Sequence, residues 1–332
     1  MTAGTHIIEL VGASTTVVEI PSEVFFTGVL VAFTAGGIAV VSFLVITLVR
    51  TWRPRTRERM VNSHALRANL VVPEDLRPAL EHQLAMRVRG GVLGSLVGLA
   101  AVLMLLRPWE YPPPSLGLAT GPISLGLAFL GTQMGAIAGG MLARRSMLSQ
   151  AVVARVTPIS IADLVAPAER RMAAVAACVA VALPALLLVV LSLPLADAPE
   201  SLALSAAPLA LLGLAAGALY LTLPAIADRL ARRRALLGDA AALAWSDALT
   251  AQSLRDLHWA VAYIGGLAGF SALMVIGTAV SDDSAVASTI WINVSAYASI
   301  ILLLVMVALV LVRSPERHVQ RTLWPEFAIN PQ

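Results

Sequence analysis

Residues able to do chemistry are sparse in this chain, and their spacing matches no reaction. Ser271, within Gly269-Phe270-Ser271-Ala272, has the small neighbours that a nucleophile inside a membrane needs. A serine nucleophile also needs a general base, most often histidine, and the one later apolar run, 289–312, contains no histidine. The five histidines (His6, His64, His82, His258 and His318) are scattered outside the apolar stretches and form no HExxH pair, so no zinc ligand set is expected. There is no lysine, which excludes Schiff-base chemistry and with it a retinal protein. It also leaves no GxxxxGK[ST] phosphate loop. Cys178 is the single cysteine and makes no internal disulfide. No catalytic, cofactor-binding or metal-binding residue is therefore expected, and the chain reads as non-enzymatic with no cofactor.

Two groups of polar residues remain. Gln133, Tyr263, Asn293 and Tyr297 lie within apolar stretches, where an amide or phenol needs a partner. They would either line a small polar cavity or bond helix to helix at about 1 kcal/mol each. The second group is charged and flanks the apolar stretches: Arg144, Arg145, Arg232, Arg233, Arg234, Asp247, Arg255 and Asp256. These would form a surface for a cytoplasmic partner, or interfacial helices lying on anionic lipid.

The elements that position these residues follow from composition. The 332 residues are 58% hydrophobic and 13% charged, with a mean hydropathy of +0.83. Soluble domains carry about twice that charge, so lipid has to serve as part of the solvent. Disordered chains, disulfide scaffolds and nucleic-acid-binding modules are excluded by the same figures. Seven stretches are long and apolar enough to cross a bilayer: about 24–49, 90–106, 121–143, 172–196, 203–227, 259–280 and 289–312. None has an ionisable residue at its middle. That argues against proton- or sodium-coupled transport and against a pore selective by charged rings.

Charge orients the spans. Residues 1–23 carry three acids and no arginine, unlike a signal peptide, whereas Arg50, Arg53, Arg55, Arg57 and Arg59 follow the first span. The N-terminus is thus expected outside and the C-terminus inside. The segments then placed inside (50–89, 144–171, 228–258 and 313–332) hold 22 of the 23 arginines; those placed outside hold Arg107 and eight acids. Residues 1–23 form a short extracytoplasmic segment, 24–312 a seven-span domain and 313–332 a cytoplasmic tail. The N-terminal run His6–Val11 and Thr15–Ile20 around Gly12-Ala13-Ser14 reads as a short hairpin or an interfacial segment.

The chain also repeats. Leu142-Ala143-Arg144-Arg145 recurs 88 residues later as Leu230-Ala231-Arg232-Arg233. Arg67, Asp75, Leu76, Glu81 and Ala85 recur as Arg155, Asp163, Leu164, Glu169 and Ala173; Glu169, Met172 and Ala173 recur 87 residues on as Asp256, Trp259 and Ala260. This describes one leading helix followed by three parallel helical-hairpin units. Gly90, Gly94 and Gly98 in one span and Gly131, Gly135 and Gly139 in the next make small-residue faces. They would pack the two spans together or serve a sliding or dimerising interface, and so a homo-oligomer. Pro184 lies mid-span, as a fixed kink or as a hinge.

Asp247-Ala248-Leu249, Leu254-Arg255-Asp256-Leu257-His258 and Ala162-Asp163-Leu164-Val165-Ala166-Pro167 together resemble a family of uncharacterised actinobacterial multi-pass integral membrane proteins. The likeness spans about 140–315 and carries no catalytic residues. It implies the same loop-and-hairpin layout and an association with an ATP-binding-cassette ATPase or another cytoplasmic subunit. The function expected on these grounds is the membrane component of a transport or export assembly; the alternative is a structural or sensory membrane scaffold.

Overall fold

The computed structural model describes residues 5–8, 18–21, 38–106, 116–145, 159–192, 200–232, 240–280 and 317–327, which fall into two units, Met1–Arg50 and Thr51–Gln332. In the first unit, strands β1 (Thr5–Ile8) and β2 (Val18–Pro21) pair antiparallel, Thr5 opposite Pro21 and Ile8 opposite Val18. The N-terminal run therefore pairs as a hairpin. The same unit contains helix α1 (Ile38–Arg50), the described part of the expected span 24–49 and shorter than a full crossing.

The second unit is helical. Five of its helices are long and apolar enough to cross a membrane: α3 (Arg77–Leu106), α4 (Leu116–Arg145), α6 (Pro167–Ser192), α7 (Glu200–Arg232) and α8 (Ala240–Val280). Shorter helices α2 (Pro54–Ala68), α5 (Ile161–Leu164) and α9 (His318–Leu323) complete it. The expected span 289–312 lies outside the described residues.

Three of the five helices overrun their apolar stretch by a turn or so, and α3 and α8 do so by far more. Residues 77–89 and 240–258 were expected to be loop or interfacial segment, but they are the first halves of α3 and α8. The flank of α8 is rich in strong helix formers and has no glycine or proline before Gly265, so nothing stops the helix where hydropathy falls. At 41 residues α8 is about 60 Å long, roughly twice the hydrocarbon thickness of a bilayer. It is also the central helix: 61% of its span is buried, against 28–33% for the other four. Ala260, Ile264, Ala268, Ala272 and Val275 of α8 pack with Ala180 and Leu187 of α6 and with Leu209, Leu212 and Ala216 of α7. The outward faces carry Leu93 and Val97 on α3, Leu186 and Val189 on α6, and Leu211 and Leu221 on α7, all exposed as a lipid-facing surface requires.

Helices α3 and α4 meet through their glycines. Gly90, Gly94 and Gly98 face Gly135, Gly131 and Leu127–Ala128, and Gly139 faces the Met86 carbonyl. A Cβ added at Gly90, Gly94, Gly131 or Gly135 would fall on a carbonyl of the opposite helix. Lipid gives helices no hydrophobic reward for associating, so the contact rests on dispersion between closely approaching backbones. On the α6–α7 pair Gly213 takes the same role, backed against the Ala180 carbonyl and the ring of the buried Pro184. Pro184, inside α6, is thus packed against α7.

Beyond this bundle the polar ends of α3 and α8 join α2, α5 and α9 in a packed cap. One cluster joins Val61 and Ala65 of α2, Leu80 and Leu84 of α3, and Trp245 and Leu249 of α8. Trp245 is 2% exposed and donates its indole N–H to the Val71 carbonyl at 2.8 Å, fixing the turn between α2 and α3. Asn69 ends α2 in the left-handed conformation, φ 55°, which asparagine tolerates better than most residues. The segment 317–327, expected within a tail, is docked: Val319 packs with Leu164, Val165 and Leu254, His318 bonds the Ala162 carbonyl at 3.0 Å, and Thr322 donates to the Asp163 carbonyl at 3.1 Å.

The seam separates two kinds of glycine. Gly94→Leu is expected to force α3 and α4 apart and to cost stability at or above the top of the ~1–3 kcal/mol range for overpacked sites. Gly140→Ala, whose added carbon would meet nothing closer than Arg87 Nη1 at 4.0 Å, is expected to be neutral or stabilising. Thermal unfolding of the purified protein in detergent, followed by tryptophan fluorescence, checks both.

Candidate functional site

Charged residues meet where the first turns of α6 reach the middle of α8. Glu169 belongs to the first turn of α6 and is 5% exposed. Its carboxylate accepts from Arg255 Nε at 3.0 and 3.2 Å and from the Trp259 indole N–H at 3.1 Å. On the other side of α8, Arg87 of α3 pairs with Asp256 and donates through Nη1 to Ser253 Oγ at 3.0 Å. Ser253 Oγ in turn donates to the Leu249 carbonyl at 3.1 Å. His258, 2% exposed, shares its Nδ1 with the Leu254 carbonyl at 2.8 Å. A turn or two lower, Asp247 accepts from the Trp324 indole N–H at 3.0 Å, tying the C-terminal segment to α8.

Helical spacing explains the layer. Arg255 and Asp256 are consecutive, so they leave α8 about 100° apart and reach two different helices, Arg255 towards α6 and Asp256 towards α3. Trp259 follows Arg255 by four residues, one turn on along the same face, which brings both donors onto the single carboxylate of Glu169. Glu169 and Asp256 are each matched by an arginine, the condition under which ionised groups tolerate burial. Beside Arg87 lies a cavity of about 20 Å³, roughly room for one water, lined by Gln83, Gly140, Met141, Thr250 and Ser253. The arrangement holds charge in fixed pairs, and it ties α3 and α6 to α8 at one level.

Among the residues singled out from sequence, Asp247 and Arg255 are buried and Asp256 is half-buried, each engaged by another part of the chain. The reason is the continuation of α8: a loop would have left them in water, whereas a central helix places them between its neighbours. Arg144, Arg145 and Arg232 close α4 and α7, but their side chains, like Arg233 and Arg234, lie outside the described residues. Tyr263 stacks on Phe129 of α4 at 4.3 Å, and Gln133 lies one turn beyond Phe129, half-buried. Asn293 and Tyr297 lie outside the described residues. Among the described residues, no group of three metal-ligating side chains converges. Glu169 and Arg87 were not singled out as site residues. Glu169 did appear in the repeat, and Arg87 stands three residues before the glycine run, a position where a lone arginine reads as an ordinary flank.

No protein-family model matches this chain, and neither a curated protein nor a solved structure matches it.

Removing one partner strands the other. Arg255→Met leaves the Glu169 carboxylate buried with a single indole donor, and is expected to destabilise by about 3–5 kcal/mol. The double variant Arg255→Met with Glu169→Leu removes both charges and is expected to recover most of that loss. Melting temperatures of the two variants and the wild type in one detergent measure the difference.

Proposed function

We propose that this chain is a non-enzymatic integral protein of the plasma membrane. Its N-terminus lies outside and its C-terminus inside, and it acts as the membrane component of a transport or export assembly driven by a cytoplasmic partner. The single observation that carries this reading is the continuity of α3 and α8 from the apolar bundle into the polar cap, with the ionic layer at the junction. A push applied to the cap reaches the bundle through unbroken helices and charge pairs, without a flexible linker to absorb it. An ATP-binding-cassette ATPase or another cytoplasmic subunit would work on the cap and on the arginines closing α4 and α7 (Arg144, Arg145 and Arg232–Arg234).

Orientation rests on the arginine count, 22 of 23 on one side. The repeat reading gains support from Ala85, Ala173 and Ala260, corresponding positions that are all buried. It gains more from Glu169 and Asp256, corresponding acids that each take an arginine from another unit. The second reading is a membrane scaffold that moves nothing. It is favoured by the α3–α4 seam, where carbonyls and Cα atoms leave no gap for a solute between those two helices.

Mass spectrometry of the protein purified from native membranes is expected to find a stoichiometric cytoplasmic subunit. Arg232→Gln, Arg233→Gln and Arg234→Gln together are expected to lose it while the chain still folds. A protein that purifies alone, with efflux and uptake unchanged in that variant, leaves the scaffold. Topology is checked separately: reporters that need export should be active when fused near residues 115, 199 and 283 and silent near 60, 150 and 240. Activity at 150 would overturn the span order.

A further inference from the structure

The segment entering α2 concentrates charge. Residues 53–59 hold four arginines and one acid, directly after Trp52. Trp52 is 53% exposed. Arg53, Arg55 and Arg59 are exposed and, among the described residues, their side chains make no hydrogen bond or ion pair. Arg57 is used internally, donating to the Trp52 carbonyl at 2.9 Å.

Arg89 sets the level of this cluster. It is the last charged residue of α3 before the uncharged run 90–106. Its guanidinium lies 5.1 Å from the centre of the Trp52 ring, and it donates to Thr51 Oγ1 at 2.9 Å and to the Thr51 carbonyl at 3.3 Å. Trp52 is therefore held beside the point where α3 becomes wholly apolar, the depth that amphipathic rings occupy at a bilayer boundary. The far part of α2 departs from that depth. Arg77 donates to Asn62 at 3.1 Å, and Arg77 precedes Arg89 by twelve residues, about 18 Å along α3. So α2 descends antiparallel to α3, and its first turns alone lie beside the headgroups. Arg53, Arg55 and Arg59 follow Trp52 by one, three and seven residues, at most about 10 Å along a helix axis, comparable with the headgroup layer plus a Debye length of about 8–10 Å.

We propose that Trp52, Arg53, Arg55 and Arg59 form a binding site for anionic phospholipid headgroups on the leaflet that α3 enters. Guanidinium forks suit phosphate, and the exposed ring beside them suits the glycerol and upper acyl region of the same lipid. A soluble acidic partner would use the arginines but would have no need of an exposed tryptophan at the edge of the apolar belt. The inference rests on the membrane reading above. It places a lipid-contacting role at the start of α2, which the cap leaves open, whereas Asp247, Arg255 and His258 of α8 are buried.

The test reconstitutes the full chain in vesicles of zwitterionic lipid containing about one-fifth anionic phosphatidylglycerol. The readout is the ratio of the two lipids retained on the protein after detergent extraction. A juxtamembrane arginine contributes about fivefold to anionic-lipid binding at low salt, so three contribute up to about a hundredfold. The wild type is expected to enrich phosphatidylglycerol, and the Arg53→Gln, Arg55→Gln, Arg59→Gln variant to lose at least tenfold of that enrichment with its helical circular dichroism unchanged. The corresponding triple lysine variant should keep most of it, and Trp52→Ala should weaken it severalfold at constant charge. Full enrichment in the glutamine variant overturns the site. So does a wild type that inserts without enrichment, and if that protein instead binds poly-glutamate, the surface serves an acidic protein. Failure to float with vesicles at all would overturn the membrane reading, and this site with it.

Discussion

Helices surrounded by lipid gain nothing by hiding apolar side chains from each other, so this bundle depends on how closely backbones can approach. The glycine seam between α3 and α4 brings carbonyls of one helix to where side chains of the other would stand. The α6–α8 contact repeats the device with Gly265, where an added Cβ would lie 2.6 Å from the Ala176 carbonyl oxygen. Small residues are the means by which weak dispersion forces accumulate when the hydrophobic effect is not available. Bulky residues are free to point outward, which is where Leu211, Leu214 and Leu221 are found.

The polar cap obeys a different rule. Its clusters combine leucine, valine and tryptophan in the manner of a soluble core, with Trp245 as the largest fully buried side chain. Helix α8 belongs to both environments, and the ionic layer lies between them. Such pairs add little net stability over an apolar substitute, because desolvation offsets most of the Coulomb attraction. What they add is position: a one-residue slip of α8 would rotate Arg255 off Glu169 and Asp256 off Arg87, leaving three buried charges and the half-buried Asp256 unmatched. The layer is thereby a register device for a helix whose alanine-rich sides would otherwise pack acceptably in several positions.

Comparing the sequence expectations with the fold separates two kinds of information. Glycine at four-residue spacing in 90–98 and 131–139 pointed to close helix faces, and a covalently linked pair of such helices brings those faces together. Hydropathy along residues 240–258 does not reveal their place in the core. Asp247, Gln252, Arg255 and Asp256 look like a solvated surface when counted along the chain. The burial of Asp247 and Arg255 and the pairing of Asp256 depend on α3, α6 and the segment 317–327 arriving from distant parts of the sequence with the complementary Arg87, Glu169 and Trp324.

The sequence alone determined the solvent and the spacing: too much apolar surface for water, arginines sorted to alternate segments, and small residues at helical period. These are properties of single segments, set by transfer free energies and by the 3.6-residue turn. The tertiary structure alone decided that α8 is the central helix, that its polar half is core, and that the acids of one helix meet the arginines of another. Those outcomes turn on which helices become neighbours. Burial of a charge is tolerable only when a partner is already in place, so a lone arginine or glutamate in the sequence does not reveal whether it will be covered.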